Sequence, residues 1–83
     1  MQHFKPYENE SEVIRIGNLE VENRVDRVVL MGDLVLTKDK AGLELAKELQ
    51  ILAARVVKVL EKQKKLPDTV QVKPPVVVEN PFI

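Results

Sequence analysis

Two hydrophobic patterns divide the chain. From Val13 to Leu36, Val, Ile and Leu recur in short, partly alternating runs, the signature of strands; from Asp39 to Lys65 the spacing becomes that of a helix. In the second stretch Leu45, Leu49, Leu52, Val56 and Val59 stand alternately four and three apart, flanked by Ala46, Ala53, Val57 and Leu60, and no proline intervenes. At about 100° per residue these positions fill an arc of roughly 160°, wider than the seam of a two-stranded coil. The pattern predicts a long amphipathic helix that packs on more than one neighbour. Thr37 is placed to cap its first free amides, and Asp39, Glu44 and Glu48 lie toward the positive end of the helix dipole. Lys58, Lys62, Lys64 and Lys65 lie toward the negative end, and Pro67 disfavours helical geometry at Leu66 and stops the element.

In the first stretch Asn23, Arg24, Val25 and Asp26 interrupt two β-prone runs, which predicts an antiparallel hairpin. With Glu22 facing Arg27, Leu19 falls opposite Leu30, Val21 opposite Val28 and Gly17 opposite Gly32. Opposed glycines predict a shared bend. The alternative is that Gly17-Asn18 and Gly32-Asp33 are tight turns, which makes the region a short meander of four strands. The expected fold class is therefore α+β: a bent antiparallel β-hairpin, or short β-meander, followed by one long amphipathic α-helix and an extended C-terminal tail. Residues 1–11 are expected as a flexible N-terminus, 12–66 as a single ββα domain and 67–83 as a Pro-rich tail.

One hairpin and one helix leave a packing deficit. The helix is expected to cover the face bearing Leu19, Val21, Val28 and Leu30, while the opposite face shows Val29 and Met31 and, beyond the bend, Ile14, Ile16 and Val35. Leu43 and Ile51 project from the otherwise charged face of the helix. An apolar patch of that size is unusual on a monomer, and a core this small without disulfide or metal often needs a partner. These seven residues are the interface candidates, with a second copy of the chain as the preferred partner, a different protein or the chain's own tail as the others.

Composition narrows the chemistry. The 83 residues hold 13 Lys+Arg against 13 Asp+Glu, a single His, and neither Cys nor Trp. Without cysteine there is no thiol nucleophile, disulfide framework or Cys-based zinc site, and one histidine gives no metal cluster. Ser11 is the only serine and no Gly-rich phosphate loop occurs. The expectation is a non-enzymatic protein without cofactor. The N-terminal stretch lacks the apolar core of a signal peptide and no window has the length of a membrane span, so a cytoplasmic location without membrane contact is expected.

Balanced charge argues against a strong nonspecific nucleic-acid binder, yet two basic groups stand out. Arg24 and Arg27 sit at the expected hairpin tip, where two guanidinium groups can grip an anion; against this, turn charges commonly pair with their neighbours, here Glu22 with Arg27. Lys58, Lys62, Lys64, Lys65 and Lys73 form the basic concentration, which completion of the helix dipole also explains. The tail, with Pro74-Pro75 before Val76, Val77 and Val78 and with Phe82 near its end, favours extended conformations. Extended valines can add to a sheet edge and Phe82 can anchor in a pocket.

The segment Glu22-Asn23-Arg24-Val25-Asp26-Arg27, then Gly32, then Leu36-Thr37-Lys38-Asp39-Lys40-Ala41-Gly42-Leu43 resembles a group of small uncharacterised proteobacterial proteins, over roughly Glu10 to Asp68. The resemblance implies a bacterial cytoplasmic protein and supplies no catalytic role to carry over. The expected function is a small self-associating protein–protein interaction module, a homodimer or a partner-bound chain. The alternative is a small DNA-associated regulator of antitoxin or mobile-element type, with Arg24, Arg27 or the lysines along a duplex.

Overall fold

A computed structural model describes residues 4–71. Its elements are β1 (Val13–Ile16), β2 (Leu19–Asn23), β3 (Val28–Met31) and α1 (Lys40–Lys62), an α+β arrangement of a three-stranded antiparallel meander followed by one long helix. Of the two expected alternatives, the first glycine takes the tight turn: Gly17-Asn18 joins β1 to β2 with Gly17 at φ 59°, and Ile16 pairs with Leu19. The second glycine makes no further hairpin. Gly32 ends β3 at φ 105°, and a Cβ there would lie 2.9 Å from the Asn18 carbonyl oxygen.

This turn moves two of the expected surface residues inside. Because a two-residue turn opposes residues three apart on one face, Ile14 and Ile16 join Leu19 and Val21 on the inner face instead of lying opposite them. The β2–β3 register also shifts by two residues from the expected one: Glu22 faces Val29 and Val21 faces Leu30. A shift of two keeps every side chain on its predicted face.

The core gathers Phe4, Ile16, Leu19, Val21 and Leu52, with Ile14, Val28, Leu34, Leu45 and Val56 packed against it. The N-terminal segment, expected to be loose, is part of this core from Phe4 onward. Asn23, fully buried, secures it: its Nδ2 donates to the Lys5 carbonyl and its Oδ1 accepts from the Tyr7 amide, both at 2.8 Å. Tyr7 is held in the left-handed region at φ 69°, an uncommon conformation for an aromatic residue. Glu12 then lengthens the sheet by accepting from the Asn23 amide at 2.8 Å.

Asp39, not Thr37, caps α1. The Asp39 carboxylate accepts from the Gly42 amide at 2.8 Å, while the Thr37 hydroxyl donates to that carboxylate at 2.6 Å. These bonds, Thr37 first, hold the Asp39 carboxyl below its ordinary pKa. The helix ends at Lys62, with Gln63 as C-cap, a little before Pro67.

Candidate interaction surface

Sheet and helix form an incomplete two-layer structure. The helix backbone approaches β1 and neither β2 nor β3, so the inner face of β3 lacks a helical cover and Leu30 stays 46% exposed. Among the described residues β3 is also an edge strand, and its sequence Val28-Val29-Leu30-Met31 has none of the charge or proline that usually protects an edge. The other edge, β1, carries Arg15, paired with Glu20 at 3.2 Å. Hydrogen-bond alternation shows which groups β3 leaves open. The Arg24 amide donates to the Arg27 carbonyl at 2.9 Å, so the ladder bonds fall at Glu22–Val29 and Glu20–Met31, and Val28 and Leu30 turn their N–H and C=O outward.

The helix leaves a second surface. Its apolar arc is wider than β1 covers: Leu45, Leu49, Leu52, Val56 and Val59 turn inward, whereas Ala53 and Val57 remain exposed. Leu43 adjoins that open flank, so that Leu43, Ala46, Gln50, Ala53 and Val57 form one stripe three and four apart. Arg55 and Lys58 border Phe4 and Lys5 on the side that leads into β1; the stripe is on the other flank, toward β3. Ile51, also exposed, stands about 80° around the helix from Leu43, among Lys47, Glu44 and Lys58.

The remaining interface candidates separate. Ile16 is fully buried and Ile14 half-buried in the core, so neither offers a docking surface, for the turn geometry given above. Val29 is half-buried and Met31 exposed on the outer sheet face, where each shares a row with a carboxylate, Glu22 and Glu20. Val35 is exposed in the link between β3 and α1, off the sheet altogether.

Both arginines of the β2–β3 turn are engaged by the protein itself. Arg24 pairs with Glu22 at 2.9 Å and also donates to the Glu10 carbonyl, and Arg27 pairs with its neighbour Asp26 at 2.8 Å. The expected Glu22–Arg27 pair does not form, because the register places Val29 opposite Glu22. Glu10 accepts the Val25 amide at 2.7 Å and so ties the N-terminal segment to the turn. Lys58, Lys62, Lys64 and Lys65 are all exposed along the end of α1 and just beyond it. Lys73, Val76, Val77, Val78 and Phe82 lie outside the described residues.

Two shallow hollows flank the C-terminal half of α1. One, of about 360 Å³, is bordered by Phe4, Pro6, Arg55 and Val59. The other, of about 200 Å³, is lined by Tyr7, Val25, Val59, Leu60, Leu66 and Val70, and burial there raises the Tyr7 phenol above its ordinary pKa. It also shows that the chain, having left α1, returns to the β2–β3 turn by Val70. Among the described residues no three His, Cys, Asp or Glu stand together as metal ligands, and no helix is long and apolar enough to cross a membrane.

Sequence reasoning missed Phe4 and Asn23. Phe4 stands in a polar stretch that holds no other large apolar residue but Tyr7 and carries no periodic signal, and Asn23 reads as a turn residue because its partners are remote backbone groups. No family model, curated protein or solved structure matches the chain.

Proposed function

We propose that the protein is a non-enzymatic interaction module that pairs with a second copy of itself along the open flank of α1. The stripe Leu43, Ala46, Gln50, Ala53 and Val57 carries this reading. It repeats three and four apart, the spacing that keeps one seam turned to a partner helix, and remains wholly or partly open to solvent. The stripe is nearly symmetric about Gln50: Leu43 and Val57 lie seven residues to either side, and Ala46 and Ala53 lie four before and three after. A twofold axis there, with the helices antiparallel, sets Leu43 against Val57 of the second copy, brings alanines together, and joins the two Gln50 amides. Small residues at the crossing allow the helices to approach closely, and a polar residue in the seam fixes its register. A DNA-associated role would draw on the lysines alone, since Arg24 and Arg27 are held by carboxylates.

Sedimentation equilibrium of the full chain tests the reading. The unsubstituted protein should show a dimer mass, which Leu43→Glu or Val57→Glu shifts toward monomer, while Ile51→Asp, off the seam, leaves it unchanged. A monomer at every concentration would remove the proposal.

A further inference from the structure

We infer that the open edge of β3 is a docking site for the chain's own tail, with residues 76–78 added as a fourth strand parallel to β3. The surface is distinct from the helix flank. The edge offers the outward N–H and C=O groups of Val28 and Leu30, with no charge or proline to discourage pairing. The occupant follows from where the described chain stops. Val70 lines the same hollow as Val25 and Asp26, at the turn from which β3 begins two residues later, so the following residues start near the correct end of that strand. Residues 72–78 can extend about 24 Å, and the four-residue β3 is about 13 Å long. The three valines suit a strand by β-propensity, whereas Pro74 and Pro75 cannot donate into a ladder and belong to the approach.

Direction and handedness agree with this placement. β3 runs away from the turn, and α1 runs back from the Gly17 end, where Leu45 lies, to the turn, where Val59 and Leu60 lie. A tail leaving the turn along the edge is therefore parallel to β3. Asn23 sends its N–H toward β1 and its side chain to the inner face. For an L-residue, this puts the open edge on the right when the sheet is viewed from the helix side with β3 running upward. A strand there completes β3–α1–strand as a right-handed crossover, the hand almost all such connections take.

Amide hydrogen exchange followed by NMR on the full chain, at several concentrations, provides the test. The Val28 and Leu30 amides should exchange more slowly than unpaired amides by on the order of tenfold or more, independently of concentration. Val77→Pro and Val78→Pro, made separately because adjacent residues alternate in the ladder, should return them to the unpaired rate in at least one variant, with α1 amides still protected. Unpaired rates in the unsubstituted chain would overturn the inference, as would protection that survives both prolines. If that surviving protection rises with concentration, a second copy holds the edge instead of the tail.

Discussion

At position 23 one carboxamide fastens two lengths of backbone, donating to Lys5 and accepting from Tyr7 where water does not reach. Its removal leaves a carbonyl and an amide without partners, and each such loss costs roughly 1–3 kcal/mol. Asn23→Ala should destabilise the fold by about 3 kcal/mol, read as a lower urea midpoint. Asn23→Asp should not restore it, because a carboxylate can accept from Tyr7 but cannot donate to Lys5. Phe4 depends on the same arrangement, and Arg55 adds a bond to the Phe4 carbonyl at 3.1 Å. Nothing in the sequence around Phe4 announces this burial. Its partners are 51 residues away in the case of Arg55, and periodicity reports only on neighbours within one element.

The elements themselves were more legible. The three-four spacing of Leu45 through Val59 marks α1 because an amphipathic helix must repeat its apolar face locally; the breadth of that arc predicts more than one packing neighbour, whereas among the strands the helix backbone approaches β1 alone and one flank stays uncovered. The cap was misplaced by two residues, since Thr37 and Asp39 are both good capping types and only geometry separates them: the Thr37 hydroxyl binds Asp39, and Asp39 binds the helix. Gly17-Asn18 was consistent with a bend or a turn on composition alone. Gly42 gives the helix start a further property. A Cβ at this position would stand 1.7 Å from the Thr37 carbonyl oxygen, although glycine inside a helix is normally about 1 kcal/mol worse than alanine. The usual sign should therefore reverse: Gly42→Ala should destabilise the protein by roughly 2 kcal/mol, seen in thermal or urea unfolding, through loss of the cap.

At the scale of the whole molecule, one sheet face and one helix enclose a small core, of which the largest fully buried side chains are Phe4, Ile16, Leu52, Val21 and Asn23. Domains of this size are marginal in the surface they bury, so coupling to association should be visible in stability. If the α1 flank pairs with a second copy, the melting temperature should rise by roughly 3–5 °C for each tenfold increase in chain concentration; differential scanning calorimetry over two decades would detect it, and a constant value would contradict the pairing. The fold class was readable from the chain, whereas the half-covered sheet was not, because the lateral position of a helix over a sheet is set by contacts such as Leu45 near Gly17 that no local pattern encodes. The Phe4–Arg55 closure also sets a timetable for birth at the ribosome. Synthesis runs from the N-terminus, so the β1–β2–β3 meander can emerge and pair while Leu52 and Arg55 are still inside the ribosomal exit tunnel, and for that interval Phe4 and the inner valines face water, available to chaperones or to neighbouring nascent chains.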